Sequence, residues 1–374
     1  MKKRSKRVLA AVLCLVMGLT ACGGGDSSAD TSSKASESAE VKSNADEVKS
    51  EASAAGQQAS GEVEVGGYTF KLPEKEKKDL EIACVYANVT TPFAQSLKLG
   101  VDEAAENFGV NAYMTAPTEW STENEIKLVE DLIAKGVDGL AVMVLDIPAL
   151  TPVIQKALDA GIPTICWNVD APDSGRLGFV GEDLVKAGEA TAEALVEAMG
   201  EEGTVLITTE AIDAEFSKQR ESGARSVLEK YPGITVLDTL NCPGDQQQMY
   251  SAIEAAMHTY PEITGVISCG GTCFVLSKYL QDNNLGNADS EKPIYNTGHD
   301  LREEKVVQIQ EGWSTAQFGQ NPYDQGWKSV EMLSEFLTGG SPEAFQVIDT
   351  GLLKVTKENA DDVLKQIQDG EPIG

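Results

Sequence analysis

From about residue 79 onward, short apolar runs alternate with longer amphipathic stretches, and this alternation allows only a few folds. An apolar run at residues 81–86 precedes a stretch at 92–108 whose apolar residues recur with the period of a helix. The same reasoning predicts further strands at 110–114, 140–145 and 163–167, and further helices at 121–135 and 149–160. Strands and helices that alternate in this way are typical of a parallel sheet covered by helices, so we expect an α/β fold.

The alternation restarts after Glu182. It predicts helices at 184–199, 217–231, 246–260, 272–283 and 301–311, and strands at 204–208, 235–240, 265–269, 293–297 and 315–318. Two successive sets of this kind predict two doubly wound, Rossmann-like lobes with parallel sheets. The carboxyl ends of the strands in each lobe are expected to face a crevice, and the crevice between the lobes is the expected binding site.

The N-terminus has the features of an export signal. Residues 1–21 begin with a basic segment, and the apolar stretch at 8–18 is much shorter than the roughly 20 residues of a membrane-spanning helix. Residues 19–22, Leu-Thr-Ala-Cys, resemble a bacterial lipobox, which implies cleavage before Cys22 and lipidation of that residue. An ordinary signal peptide with an incidental cysteine is the alternative.

The segment after the signal is poor in residues that build a core. Residues 23–67 contain no aromatic residue and no Leu, Ile, Met or Pro. Such a composition cannot bury enough apolar surface to offset the entropy of ordering. Residues 22–79 are therefore expected to be the lipidated cysteine and a flexible acidic stalk that tethers the folded domain to the membrane.

The charge of the chain excludes nucleic acid as a partner. The formal net charge is −29, and removal of residues 1–21 would make it more negative, because that segment holds five Lys and Arg residues and no acidic residue. A nucleic-acid-binding protein needs clustered Lys and Arg to neutralise phosphates. Strong acidity instead suits the soluble surface of an exported protein.

Several short motifs occur along the chain in a fixed order. They are Thr91-Pro92-Phe93, Gly136-Val137-Asp138-Gly139-Leu140, Ala160-Gly161-Ile162-Pro163, Arg220-Glu221-Ser222-Gly223, the segment 260–266, Gly298-His299-Asp300 and Gln320-Asn321-Pro322-Tyr323. In their order and spacing they resemble the motifs of the sugar-binding type I periplasmic binding proteins, the substrate receptors of bacterial ABC importers. The resemblance covers about residues 80–369. The lactose-repressor family shares this fold, but it carries a helix-turn-helix where this chain has a signal and a stalk.

The resemblance implies two lobes joined by a three-strand hinge near Glu182, Gln320 and Thr350. The N-terminal lobe would comprise residues 80–182 and 321–349, and the C-terminal lobe residues 183–320 and 350–374. It also implies that Thr91 hydrogen-bonds a sugar, that Phe93 stacks on the sugar ring, and that three polar residues contact the ligand: Arg220, Asp300 and Gln320. A first-turn core residue is the alternative for Phe93, and a solvated helix residue paired with Glu221 is the alternative for Arg220.

The chain departs from the ribose-binding pattern at three places. Asn168 stands where an Asp-Arg pair is usual, Gly270-Gly271 replaces Asn-Asp, and Met143 replaces a polar residue. Because the missing side chains bind hydroxyl groups, a receptor strictly for ribose is not expected.

Further residues are candidate ligand contacts because of their expected positions in the fold. Trp120 and Trp167 fall on the crevice side and are candidates for stacking, with core packing as the alternative. Asp170, two residues after Asn168, would point to the same side if the strand continues. The turn at Gly270 has free N–H groups that can cradle an anion, although a close-packed turn is the alternative.

No arrangement of residues indicates catalysis, a metal or a cofactor. The sequence has two His residues and no nucleophile elbow. Five cysteines remain beyond the signal and Cys22, namely Cys84, Cys166, Cys242, Cys269 and Cys273. Three of them lie in apolar strands, and only Cys269 with Cys273 is spaced for a short disulfide.

Together these features predict a monomeric, lipid-anchored receptor on the outer face of a bacterial cell membrane. It would capture a sugar or related polyhydroxylated molecule between its lobes and deliver it to the permease and ATPase of an ABC transporter. Two alternatives stay open. The protein could instead be a receptor for an autoinducer or sugar that signals to a sensor kinase, or a nucleoside-binding lipoprotein in which Phe93, Trp120 and Trp167 stack on the base.

Overall fold

A computed structural model describes residues 61–286, 290–369, 371 and 373. The predicted signal, the lipid attachment at Cys22 and most of the predicted stalk therefore lie outside the described residues. None of the helices in the described ranges is both long enough and apolar enough to cross a membrane.

The last part of the predicted stalk is folded, so the prediction of a flexible segment is wrong for residues 61–79. Strands β1 (Glu62–Val65) and β2 (Tyr68–Lys71) form an antiparallel hairpin. Phe70 is only 1% exposed and packs edge to face on Phe336, with ring centroids 5.7 Å apart. Burial of this single aromatic side chain and of Leu72 supplies the apolar contact that the composition of the segment does not suggest.

The first half of the domain alternates as the sequence predicts. In chain order it contains β3 (Glu81–Val85), α1 (Pro92–Phe108), β4 (Asn111–Thr115), α2 (Thr122–Lys135), β5 (Gly139–Val142), α3 (Ile147–Asp159), β6 (Thr164–Asn168) and β7 (Phe179–Gly181). Short 3-10 turns at Lys77–Asp79 and Pro172–Ser174 connect some of these elements. Helix α1 starts at the predicted place because the Thr91 hydroxyl caps it, accepting a hydrogen bond from Ala94 N–H at 3.1 Å.

The second half continues with α4 (Leu184–Met199), β8 (Glu202–Thr209), α5 (Glu215–Leu228), β9 (Gly233–Val236), β10 (Leu240–Asn241), α6 (Gln246–Thr259), β11 (Ile263–Ser268), α7 (Thr272–Asn283), β12 (Tyr295–His299), α8 (Glu303–Gln310) and β13 (Ala316–Gly319). The chain ends with α9 (Pro322–Gly339), a 3-10 turn at Pro342–Ala344, β14 (Val347–Asp349), β15 (Leu353–Val355) and α10 (Ala360–Asp369). The strand predicted at 235–240 is two short strands, β9 and β10, and both pair with β8.

The strands form two main sheets, which confirms the α/β fold. The first sheet has the order β14-β7-β6-β5-β3-β4 and is parallel throughout. The second has the order β10-β8-β11-β12-β13-β15, and it is parallel except for the antiparallel edge strand β15. We call the first sheet with its helices the first lobe, and the second sheet with its helices the second lobe.

The chain passes between the two sheets three times. It leaves the first sheet after β7 for α4, returns after β13 through α9, and leaves again between β14 and β15. Glu182, Gln320 and Thr350 stand at these three crossings. Three connections that lie side by side allow the lobes to rotate about them without changing the packing inside either lobe.

In each lobe one helix pair packs backbone against backbone at glycine. A Cβ atom at Gly100 in α1 would lie 2.1 Å from the carbonyl oxygen of Tyr323 in α9. Correspondingly, a Cβ at Gly188 in α4 would lie 2.0 Å from the carbonyl oxygen of Arg220 in α5. Only glycine permits these approaches, so each lobe holds its helix starts in fixed positions at the crevice.

Candidate functional site: the cleft between the lobes

A cleft of about 800 Å³ lies where the carboxyl ends of the parallel strands of both lobes meet. Several of its lining residues lie one or two positions after a strand. Tyr86 follows β3, Glu210 follows β8, Gly270 lies two residues after β11, Asp300 follows β12 and Gln320 follows β13. The size falls within the range of small-molecule sites, and the position is the one that the topology predicts.

Aromatic side chains form one wall of the cleft. The ring of Tyr86 lies 6.1 Å from that of Phe93 and 6.3 Å from that of Trp120. Trp120 in turn lies 5.9 Å from the ring of Phe216, which belongs to α5 of the second lobe. Of these four rings, sequence reasoning identified Phe93 and Trp120. It missed Tyr86 and Phe216, although the position of Tyr86 at the end of a predicted strand was a usable signal.

Trp167 does not line the cleft, contrary to the expectation from the sequence. Its side chain is completely buried, and its indole N–H donates a hydrogen bond to the carbonyl oxygen of Val85 at 2.7 Å. Because the side chain projects from within β6 and not from the loop after it, it packs behind the cleft, edge to face on Tyr86. Trp167 therefore supports the aromatic wall from the core.

Asp170 also lies away from the cleft lining. Its carboxylate accepts two hydrogen bonds from Arg176, at 2.7 and 2.6 Å. The expectation was based on a strand that continues past Asn168, but the φ of Asn168 is +63° and ends the strand there. Side chains two residues apart point to the same side only while a strand continues. Because the strand ends at Asn168, the side chain of Asp170 points elsewhere.

Asn168, Asp300 and Gln320 are brought together in one hydrogen-bonded network. The Gln320 amide oxygen accepts from Asn168 Nδ2 at 3.2 Å, and Gln320 Nε2 donates to Asp300 Oδ1 at 2.9 Å. Gln325 and Thr350 extend the network to two of the crossings between the lobes. Asn168, Asp300 and Gln320 all line the cleft. A ligand that contacts them therefore contacts a network that reaches the segments crossing between the lobes.

Arg220 lines the cleft and is only 3% exposed, so the alternative of a solvated helix residue is wrong. Its Nε donates to Glu182 Oε1 at 3.2 Å, one Nη donates to the same oxygen, and the other Nη donates to the Cys269 carbonyl oxygen at 2.8 Å. A guanidinium has five N–H groups. Among the described residues three of them have acceptors, which leaves two for a ligand.

Thr91 and Gly270 line the cleft as the sequence predicts, but each also has a structural role. The Thr91 hydroxyl caps α1. The turn at Gly270 does not present its N–H groups freely, because Gly271 N–H donates to Glu210 Oε1 at 2.9 Å. The prediction that this turn binds an anion of the ligand is therefore wrong for Gly271, because its N–H group already binds the Glu210 carboxylate.

Glu210 is the carboxylate that sequence reasoning missed. Its position two residues after the predicted strand at 204–208 was the available signal. Burial raises the pKa of its carboxyl group, and the nearby charge of Asp300 adds to this shift. Glu210 and Asp300 are thus two of the acidic residues that line the cleft, together with Asp245, Glu303 and Glu371.

None of the cysteine side chains in the described residues lines the cleft. All five in the described residues are free and buried, including Cys269 and Cys273, which do not form the disulfide that their spacing allows. Burial raises the pKa of Cys269 and Cys273 to about 12, so their thiols stay protonated and unreactive at neutral pH.

Comparison with known proteins identifies the family. The model of the periplasmic binding protein domain matches residues 82–341. A xylose/arabinose-binding protein, XylF, of Sulfolobus acidocaldarius shares 24% identity over 281 residues, covering 72% of this chain and 69% of that protein. The ribose import binding protein RbsB of Bacillus subtilis shares 23% identity over 263 residues, covering 70% of this chain and 83% of that protein.

Solved structures with the same architecture include an ABC transporter solute-binding protein of Burkholderia graminis in complex with D-arabinose. It has 27% sequence identity and a TM-score of 0.71, covering 76% of this chain and 98% of that one. A carbohydrate transporter protein of Acidothermus cellulolyticus in complex with myo-inositol has 26% identity and a TM-score of 0.67, covering 78% of this chain and 99% of that one. Since the family model matches residues 82–341, well over half of the chain, this chain belongs to the periplasmic binding protein family.

Proposed function

We propose that the protein captures a sugar or a related polyhydroxylated molecule in the cleft and delivers it to the permease of an ABC transporter. The observation that carries this proposal is the pairing, in one crevice between two lobes, of an aromatic wall with carboxylate, amide and guanidinium groups. Relatives named for xylose and arabinose or for ribose, and solved structures with D-arabinose or myo-inositol bound, support the same class of ligand.

The chemistry of the lining suits a sugar. The apolar C–H face of a sugar ring packs well on an aromatic plane such as Phe93 or Trp120. Its hydroxyl groups need planar groups that donate and accept, and Asp300, Asn168 and Arg220 provide these. No cofactor, metal or chemical step is part of this role, which is binding without catalysis.

Closure of the lobes is the mechanism by which binding becomes a signal to the partner. Contacts already span the cleft, since Trp120 meets Phe216 and the Glu215 N–H donates to the Leu145 carbonyl oxygen at 3.1 Å. A ligand held by both lobes stabilises the closed arrangement relative to the open one. The permease then recognises the closed lobes.

The position of the protein in the cell follows from its N-terminus. We propose that residues 1–21 are removed, that Cys22 carries lipid, and that the domain works as a monomer on the outer face of the membrane. Acyl chains contribute roughly 0.8 kcal/mol per buried CH₂, so more than one chain on Cys22 would anchor the protein stably.

Replacing Phe93 or Asp300 with Ala is expected to lower the affinity at least about 10-fold while the domain stays folded, because each change removes one ligand contact and no core residue. The ligand is first chosen as the largest thermal shift among D-xylose, L-arabinose, D-ribose and myo-inositol, since binding to the folded state raises the melting temperature. Isothermal titration calorimetry then measures the affinity of each variant.

Tyr260→Ala and Asp159→Ala provide matched controls, because both residues are exposed and lie outside the cleft lining. These variants should bind like the unchanged protein. Equal affinities for all five proteins would contradict the proposed site, and the absence of a thermal shift with any sugar or polyol would contradict the proposed function.

A further inference from the structure

One carboxylate in the cleft lacks a donor for half of its hydrogen-bonding capacity. Glu210 Oε1 accepts from Gly271 N–H at 2.9 Å. Its other oxygen, Oε2, is buried and has no hydrogen-bond partner among the described residues. A buried carboxylate oxygen without a partner is costly, so its presence at a binding cleft indicates a donor that arrives with the ligand.

The two glycines opposite make room for this carboxylate. A Cβ atom at Gly270 would lie 2.5 Å from Glu210 Oε1 and 2.8 Å from Oε2. Any side chain at position 270 would therefore displace the carboxylate from its present place. The Glu210 carboxylate can occupy this position only because residue 270 is glycine.

Glu210 has no salt-bridge partner of its own within the described residues, and the nearby Arg220 charge favours its ionised form only from a distance. Neither Glu210 nor Asp300 forms a salt bridge within the described residues. The one cation beside them, Arg220, forms its salt bridge with Glu182. At the rim of the cleft, the Arg302 guanidinium stacks 3.3 Å from the centre of the Phe274 ring, and it forms no ion pair with either carboxylate.

The aromatic rings that line the same cleft add to the preference for positive charge. Their faces carry partial negative charge and attract ammonium groups within about 6 Å. A neutral hydroxyl group can donate a hydrogen bond to Oε2, but it adds no positive charge beside Glu210 and Asp300. An ammonium group donates and compensates the charge at the same time.

We propose that the cleft selects a polyhydroxylated solute that carries a protonated amino group, and that Glu210 binds this group. The inference rests on the proposed function, since it names the class of ligand for the same cleft. Amino sugars are the simplest molecules of this class.

Matched pairs of sugars test the proposal with the purified full chain. Calorimetry compares D-glucosamine with D-glucose, D-galactosamine with D-galactose, and D-mannosamine with D-mannose. N-acetyl-D-glucosamine serves as a probe that retains the nitrogen but not the charge. At least one amino sugar should bind about 10- to 100-fold more tightly than its neutral counterpart, the usual range for a hydrogen bond to a charged group.

Two variants tie that preference to Glu210. Glu210→Gln keeps the shape and removes the charge, so the preference should fall to within a few-fold. Gly270→Ala retains the charge but displaces the carboxylate, and it should also reduce the preference. Asp213→Asn, an exposed position in the loop after β8, is the matched control and should leave the preference unchanged.

The outcomes separate this inference from the proposed function. Neutral sugars that bind as tightly as their amino counterparts overturn the inference and leave the proposed function intact. A preference that persists in folded Glu210→Gln, checked by thermal unfolding, also overturns it. If neither neutral sugars nor amino sugars bind, the proposed function is contradicted. The inference is then contradicted as well, because it rests on that function.

Discussion

Replacing Arg220 with Ala is expected to lower the free energy of unfolding by about 3–5 kcal/mol, the range measured when one partner of a buried ion pair is removed. Arg220 and Glu182 are both almost completely buried, with side-chain exposures of 3% and 2%. Removal of the guanidinium leaves the Glu182 carboxylate in the interior without a counter-charge. It also removes the donor to the Cys269 carbonyl oxygen.

Chemical denaturation measures this effect, and Lys278→Ala in α7 is a control. The ion pair of Lys278 with Asp282 is exposed, so its loss should cost less than about 1 kcal/mol. A double variant, Glu182→Leu with Arg220→Met, should recover much of the lost stability, because it removes both charges together. A cost for Arg220→Ala no greater than that of the control would show that the pair is not buried as described.

Replacing Trp167 with Ala is expected to cost about 3–5 kcal/mol of stability, as for other large-to-small changes at buried aromatic residues. Trp167 is completely buried, and its loss leaves a cavity behind Tyr86 and removes the indole hydrogen bond to the Val85 carbonyl oxygen, which keeps its bond from Met143 N–H. Trp120 is the matched comparison, since it is only partly buried and lines the cleft. Trp120→Ala should reduce ligand affinity much more than stability.

Denaturation and calorimetry on both Trp variants distinguish the two roles. Trp167→Phe retains most of the volume and should lose less stability than Trp167→Ala. If Trp167→Ala were as stable as the unchanged protein and bound ligand poorly, Trp167 would be a ligand contact, and its placement in the core would be wrong.

Much of the architecture could be predicted from the sequence, because strands and helices have different apolar periods. The alternation of the two periods predicted the parallel sheets and the helices that cover them. The hairpin at β1 and β2 was missed for a physical reason. Its stability comes from Phe70 and Leu72 packing on distant parts of the first lobe, and such contacts leave no periodic pattern in the segment itself.

The candidate site was predicted in part. The family resemblance indicated Asp300 and Gln320, and the comparison with the ribose pattern singled out Asn168; all three line the cleft, where the carboxyl ends of parallel strands meet. The direction of an individual side chain was harder to predict. A positive φ at Asn168 turns the chain so that Asp170 pairs with Arg176. No pattern in the sequence predicted that turn.

The sequence by itself determined the class of fold, the crevice between two lobes and the strand ends that supply its polar groups, since all of these follow from local periodicity and chain order. Only the tertiary structure decided which side chains face the cleft and which charges stay uncompensated there. Trp167 lies in the core, Arg220 is held by Glu182, and Glu210 occupies the space beside Gly270. These outcomes depend on close packing and buried charge between residues far apart in the chain, and periodicity carries no information about either.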